Sequence, residues 1–212
     1  MFLRSRSFLR FNSTISVGPK ILDLRVGKIV DIRNHENADK LYVSQIEVGS
    51  KKPFEEEVGE EVGEEVGGVV GEEVVAKTVQ VCSGLVGLVT KEELLNSRVV
   101  LVMNLKPSKM RGVKSEAMLL AAESVGEFDV EVVRPPEGGY PGQVIEFKGY
   151  ERGKGDVIKK LKRKKWEEIA KEIRTNSNGE VCYKEDYSTL GYETKDGRQV
   201  CKVKTLSNCK VK

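Results

Sequence analysis

Val99-Val100-Leu101-Val102-Met103, Asn104-Leu105-Lys106-Pro107-Ser108-Lys109-Met110-Arg111-Gly112-Val113-Lys114-Ser115 and Met118-Leu119-Leu120-Ala121-Ala122 are an apolar run, a basic loop and a second apolar run. The two apolar runs read as buried strands, so the loop between them is held at both ends. Within it three cations and Lys114 are interspersed with a proline that fixes φ, a glycine that permits close backbone approach, and Asn and Ser side chains able to hydrogen-bond. Cations at this spacing suit an extended anionic ligand. A solvated basic turn has the same composition, but binding and chemistry concentrate on loops carried by a rigid scaffold.

The sequence before this core is β-like. Leu22, Leu24, Val26, Val30 and Ile32 stand on alternate positions of a long strand, Asn34 to Asp39 is a polar turn, and Leu41 to Val48 is the returning strand. Val75 to Cys82 is the next strand. Thr90 with Glu93 three residues on is a capping box, so a short helix runs to about Asn96. Beyond the basic loop, Phe128 to Val133 is a further strand or a connection, Pro135 to Gly142 a rigid turn, and Gln143 to Lys148 extended chain. Short strands with one small helix between the third and the fourth predict a five-stranded Greek-key barrel of the oligonucleotide-binding type, the OB-fold, over residues 18–150.

After Gly155 the period changes. Ile158, Leu161, Trp166, Ile169, Ala170 and Ile173 form a helical apolar stripe, which predicts a helix begun by Asp156 and ended near Asn178-Gly179. Its other side carries Lys159, Lys160, Lys162, Arg163, Lys164 and Lys165, either a solvated face or a phosphate-contacting one; the basic surplus of the chain favours the second. Val181 to Lys212 alternates around Asp196-Gly197, a hairpin signal. This α+β stretch, 151–212, is too short to fold alone and should pack against the barrel.

Two segments stand apart. Residues 1–17 hold Arg4, Arg6 and Arg10 among serines and large apolar residues, with no acid before Asp23, the composition of a mitochondrial transit peptide. Cleavage between Phe11 and Val17 is expected, with the mitochondrial matrix as the location. The alternatives are a basic arm that binds nucleic acid and a cytoplasmic location. Residues 55–75 repeat Glu-Glu-Val-Gly three times and hold nine glutamates and no basic residue. A four-residue unit is too short for a solenoid, so this reads as a disordered acidic insert in a hairpin. It is either a neutral expansion or an internal decoy competing with RNA for the basic surface.

Composition limits the rest. The net charge of +3 masks a basic body, because outside residues 1–22 and 55–75 there are 32 basic against 24 acidic residues. That excess favours a polyanionic partner. No apolar stretch reaches the roughly 20 residues that span a bilayer, so no membrane partner is expected. The four cysteines, Cys82, Cys182, Cys201 and Cys209, form no C-x-x-C pair and have no nearby histidine, so free thiols are expected and no metal or other cofactor. The single histidine, His35, excludes mechanisms that need two and reads as a turn residue.

Leu22 to Ile29, His35 to Val43, Ser83-Gly84-Leu85 and Asn104 to Met118 together resemble the tRNA-binding domain shared by endothelial monocyte-activating polypeptide II, the yeast synthetase cofactor and the appended domains of some methionyl- and tyrosyl-tRNA synthetases. Asn-Leu-Lys-Pro-x-Lys-Met-Arg-Gly-Val-x-Ser-x-Ala-Met is the most specific string. Trp166-Glu167, Val200-Cys201 and Thr205 to Asn208 resemble the extra C-terminal module of the polypeptide II branch, so the likeness covers about residues 20–212 apart from the acidic insert. The resemblance implies a non-catalytic barrel that binds the outer elbow of tRNA with little sequence preference, and a monomer, because that module occupies the surface bacterial relatives use to dimerise. Carried onto this chain, it implies that Lys106, Lys109, Arg111 and Lys114 contact phosphates. Asn104 and Ser115 would orient the loop or bond sugar hydroxyls, with Ser83 beside them, while Leu105 and Met110 anchor the loop in the core. No synthetase domain is expected ahead of the barrel, so aminoacylation would be affected in trans. A reduced class I synthetase is discounted for want of its second histidine. The remaining alternative is an interaction module that scaffolds an aminoacyl-tRNA synthetase and binds RNA incidentally.

Overall fold

A strand that must meet neighbours on both faces is the centre of the molecule. In the computed structural model, which describes residues 18–49, 76–124, 126, 129–153 and 155–212, that strand is β1 (Leu24–His35). A 3-10 turn at Pro19–Ile21 precedes it; β2 (Ala38–Glu47), β3 (Thr78–Ser83), helix α1 (Lys91–Leu94) and β4 (Arg98–Val102) follow. Then come β5 (Ser108–Met110), β6 (Val113–Ser115), β7 (Met118–Leu119), β8 (Ala121–Glu123), β9 (Val130–Val132) and β10 (Val144–Phe147). The C-terminal part consists of α2 (Arg163–Ala170), β11 (Ile173–Thr175), β12 (Val181–Tyr183), β13 (Glu185–Thr194), β14 (Gly197–Val200) and β15 (Lys210–Val211). The basic, acid-free start and the acidic repeat lie outside the described residues.

Antiparallel pairing joins β3 to β2, β2 to β1, β1 to β4 and β4 to β7. The circuit closes where the Glu116 N–H donates to Gln80 O at 2.8 Å. Inside this barrel pack Ile29, Ile46, Val81, Leu94, Val99 and Leu101. Helix α1 lies between β3 and β4, and its cap is the expected one, with Thr90 Oγ1 accepting from the Glu93 N–H at 3.2 Å. One inward position was misread. Gly27 and Ile29 face the barrel, whereas Val30 shares the side of Leu24 and Val26 and faces out; the register shift between Ile29 and Asp31 then returns Ile32 to the barrel core. A bulge of this kind swaps the faces of everything beyond it.

A second circuit shares β1 and β4. From β1 the ladder runs through β10, β13, β12, β11 and β15 to β8, which continues the chain of β7. It encloses Leu24, Val26, Val100, Val102, Ile145, Phe147, Trp166, Ile173, Leu190 and Val211. Strand β4 therefore turns Val99 and Leu101 into one core and Val100 and Val102 into the other. That is why the run is apolar at every position rather than at alternate ones.

The predicted helix from Asp156 to about Asn178 is far shorter. Only Arg163–Ala170 is helical, and Ile173, expected on the helix, lies in β11. Asp156 closes a turn instead, its carboxylate accepting from the Gly153 N–H at 3.0 Å. Leu161 is held extended, its N–H donating to Asn104 O at 2.7 Å while its carbonyl accepts from the Lys106 N–H at 3.3 Å. Pairing with a distant segment takes the backbone bonds that the first turns of the helix would need. The hairpin expected at Asp196-Gly197 is present, joining β13 to β14 with Thr194 opposite Gly197.

Candidate nucleic-acid interface

The basic loop is itself a hairpin. Ser108 faces Ser115, Lys109 faces Lys114 and Met110 faces Val113, leaving a two-residue connection, Arg111-Gly112. Both connecting residues have positive φ, 48° and 93°. This is the pattern of the tight turn whose twist matches two antiparallel strands, usually built from Asn-Gly. Two features oppose local stability: like charges stand directly opposite at Lys109 and Lys114, and an arginine occupies a left-handed position. Lys106, Lys109 and Arg111 are exposed and, among the described residues, enter no ion pair. Lys114 is different, because its ammonium lies 2.8 Å from Glu116. That contact, with the Gln80 N–H and the nearby Lys160 ammonium, holds the Glu116 carboxyl below the usual carboxylate range.

Buried polar groups fix the hairpin to the fold. Asn104 is buried: its Oδ1 accepts from the Asp23 N–H at 2.9 Å, and its Nδ2 donates to Ile21 O at 2.8 Å and Lys159 O at 2.9 Å. Ser115 is also buried, accepting from the Cys82 N–H and donating to Ala117 O, both at 3.0 Å. These side chains orient the loop from within and are turned away from solvent. Ser83, half-buried at the end of β3, follows Cys82 and so flanks the Ser115 end of the hairpin. Leu105 packs against the second core, and Met110 is half-buried.

The second basic stretch lies beside the first. Leu105 and Leu161 form a parallel bridge, which sets Lys106 next to Lys162. Trp166 and Ile169 fix α2 in the core, and its outward side carries exposed Lys162, Arg163 and Lys164 with half-buried Lys165. Here two of the four charges face acids: Arg163 Nε is 2.8 Å from Glu167 and Lys165 Nζ is 2.8 Å from Glu168, while Lys162 and Lys164 enter no ion pair among the described residues. The Lys165 hydrogen bond keeps the Glu168 carboxyl low, with the fields of Lys165, Lys164 and Lys171 adding to it.

Two contributions, from His35 and Gln80, escape a reading of the sequence alone. His35 is buried, with Nε2 2.9 Å from Met110 O and the Asn37 N–H donating to Nδ1 at 3.0 Å. It is thus a clamp on the hairpin as well as a turn residue. Gln80 donates to Lys114 O at 2.8 Å and Lys160 lies near Glu116. Contacts spanning tens of residues leave no periodic signal, although His35 does lie inside a family motif. Cys82, Cys182 and Cys201 are free thiols, and burial raises the pKa of each, keeping them protonated. Among the described residues no group of three or more His, Cys, Asp or Glu is placed to hold a metal ion.

Comparison with known proteins agrees with this architecture. Residues 24–58 and 69–144 match the family described as putative tRNA binding domain, the break falling within the acidic repeat. The chain belongs to that family. It is 36% identical over 187 residues to cytoplasmic tyrosine–tRNA ligase of Xenopus tropicalis, covering 88% of this chain and 30% of the ligase. It is 34% identical over 201 residues to a probable methionine–tRNA ligase of Oryza sativa subsp. japonica, covering 95% of this chain and 21% of the ligase. Against aminoacyl tRNA synthase complex-interacting multifunctional protein 1 of Mus musculus identity is 37% over 191 residues, 90% of this chain and 51% of that protein. The chain thus spans under a third of these ligases and about half of the interacting protein. The C-terminal domain of Plasmodium vivax p43 has the same fold, with a TM-score of 0.67 and 23% identity over 92% of this chain and 98% of that one.

Proposed function

We propose that this chain is a non-catalytic RNA-binding protein that holds structured RNA, tRNA above all, on the hairpin Ser108 to Ser115. One observation carries the reading: Lys106, Lys109 and Arg111, beside and on a hairpin pinned by buried polar side chains, are exposed and enter no ion pair among the described residues. Such a surface suits phosphates, contacts that position a nucleic acid without reading its bases. Duplex RNA is recognised by backbone shape and 2′-hydroxyls, consistent with a tRNA elbow. We place Lys114, Ser83 and the α2 cations Lys162, Arg163, Lys164 and Lys165 at the margin of the contact.

In this proposal the protein acts in trans on tRNA handling as a monomeric cofactor to an aminoacyl-tRNA synthetase. The support for that partner is the company of its relatives, two of them tRNA ligases and one named for interacting with a synthetase complex. Residues 1–17 direct it to mitochondria by their composition. A fluorescent protein carrying residues 1–17 should enter mitochondria, and a cytosolic signal would refute the address.

A filter-binding titration of the full chain with tRNA at rising salt tests the main proposal. Tight binding at low salt that weakens steeply as salt rises is expected. Absence of binding at low salt refutes it. Repeating the titration with residues 55–75 deleted asks whether the acidic repeat competes for the same surface; tighter binding supports a decoy, and unchanged affinity leaves it a neutral expansion.

A further inference from the structure

Arg111 adopts φ 48°, a left-handed conformation that is unfavourable for a residue with a large side chain. Relaxation would require the peptide unit between Met110 and Arg111 to rotate. The carbonyl of that same unit is the one His35 holds, with Nε2 at 2.9 Å from Met110 O. The other ring nitrogen settles the tautomer: Nδ1 accepts from the Asn37 N–H at 3.0 Å and so carries no proton, which leaves Nε2–H to donate to Met110. The ring is only 5% exposed, and it ends β1 directly opposite Ala38 at the start of β2, so the clamp is anchored in the barrel itself.

We infer that His35 is a positioning residue for RNA binding, locking the Met110–Arg111 peptide so that the Arg111 guanidinium is held out from the hairpin tip toward phosphate. This rests on the hairpin being the RNA site. A cation already ordered loses less freedom on binding than one on a relaxed loop. Removing the clamp therefore weakens binding while leaving every cation in place.

Two substitutions in the full chain separate the clamp from the turn. His35→Asn keeps an acceptor for the Asn37 N–H, in the manner of an Asx turn, but is too short to reach Met110 O. His35→Gln places an N–H near the position of Nε2–H. With a tRNA transcript as probe, H35N is expected to bind about 3–10-fold more weakly. The slope of log affinity against log salt should stay at the wild-type value, since no charge is lost. H35Q should stay within about twofold of wild type, and on an Arg111→Ala background the effect of H35N should vanish. Wild-type affinity for H35N, equal losses for H35N and H35Q, or an undiminished H35N effect on the Arg111→Ala background would each overturn the inference alone. A wild-type chain that does not bind tRNA would overturn the RNA reading and the inference with it. Nitrogen-15 NMR of the unsubstituted protein checks the clamp independently of folding in the variants: the Nε2–H tautomer is expected, and an Nδ1–H tautomer contradicts it.

Discussion

Two basic stretches meet where Leu105 bridges Leu161, and they differ in what their charges face. On α2, Arg163 and Lys165 are engaged by Glu167 and Glu168 on the same helix. Pairs at this spacing add a few tenths of a kcal/mol to the helix and cancel much of its outward field. On the hairpin, Lys106, Lys109 and Arg111 have no such partner among the described residues, Lys109 stands opposite Lys114, and Arg111 is left-handed. One stretch is arranged for its own stability and the other against it. Local rules broken in this way, and held by buried polar groups, mark a surface kept for a ligand. Basic residues alone therefore do not locate a site, nor do unpaired ones, since Lys162 and Lys164 also enter no ion pair among the described residues. What marks the hairpin is unpaired cations combined with buried anchors and a left-handed tip.

Changing Lys106, Lys109 and Arg111 together to Ala should lower tRNA affinity on the order of 100-fold at low salt. A comparable loss on replacing Lys162, Arg163 and Lys164 would erase the contrast between the two stretches. Next in size, Asn104→Ala removes three hydrogen bonds at the root of the hairpin and should cost about 1–3 kcal/mol in denaturant unfolding. Unchanged stability would mean the root is not anchored there. The helix can also be tested by adding function: Glu167→Gln with Glu168→Gln frees Arg163 and Lys165, and should strengthen tRNA binding about threefold. No gain would show that pairing is not what silences the helix.

The smallest effect concerns how the C-terminal chain is held on the barrel. Burial tends to raise the Glu131 carboxyl, but hydrogen bonds from the Thr205 hydroxyl and the N–H groups of Thr205, Leu206 and Lys204 outweigh it and hold the group below the usual range. A carboxyl depressed in the folded state stabilises above its unfolded pKa, about 4.3 for glutamate, and that contribution is lost as pH falls through the folded value. Glu131→Gln should therefore cost about 1 kcal/mol at pH 7, and the gap from wild type should close as the solution is acidified below the ordinary carboxylate range. A gap independent of pH would contradict this role for Glu131.

Much of the fold was legible because its signals are local. Strand runs, the Thr90 cap and the Asp196-Gly197 turn each depend on residues a few positions apart. The structure holds the cap and the turn as read and most strand runs to within a few residues, with Val30 facing out and Met118 to Ala122 divided between β7 and β8. Val99 to Met103 announced a strand, but not that two cores claim its opposite faces, because most partners of the second lie past residue 144. The error at α2 has the same origin: Ile158, Leu161 and Ile173 do keep helical spacing, yet Leu161 pairs with Asn104 and Lys106. In the site, the identity of the cations was visible and their state was not. Whether Lys114 is neutralised by Glu116, or Met110 held by His35, is settled by side chains brought together across the fold.

The central claim is that phosphates are met chiefly on the hairpin, with the helix only at the margin. Salt dependence of tRNA binding measures this directly, because the slope of log affinity against log salt counts the phosphates neutralised. Compared with wild type, the Lys106, Lys109 and Arg111 triple variant should show a slope smaller in magnitude by roughly 2–3, while the Lys162, Arg163 and Lys164 triple variant should change it by less than about 1. Equal slopes for wild type and the hairpin variant, with the helix variant carrying the change, would contradict the account.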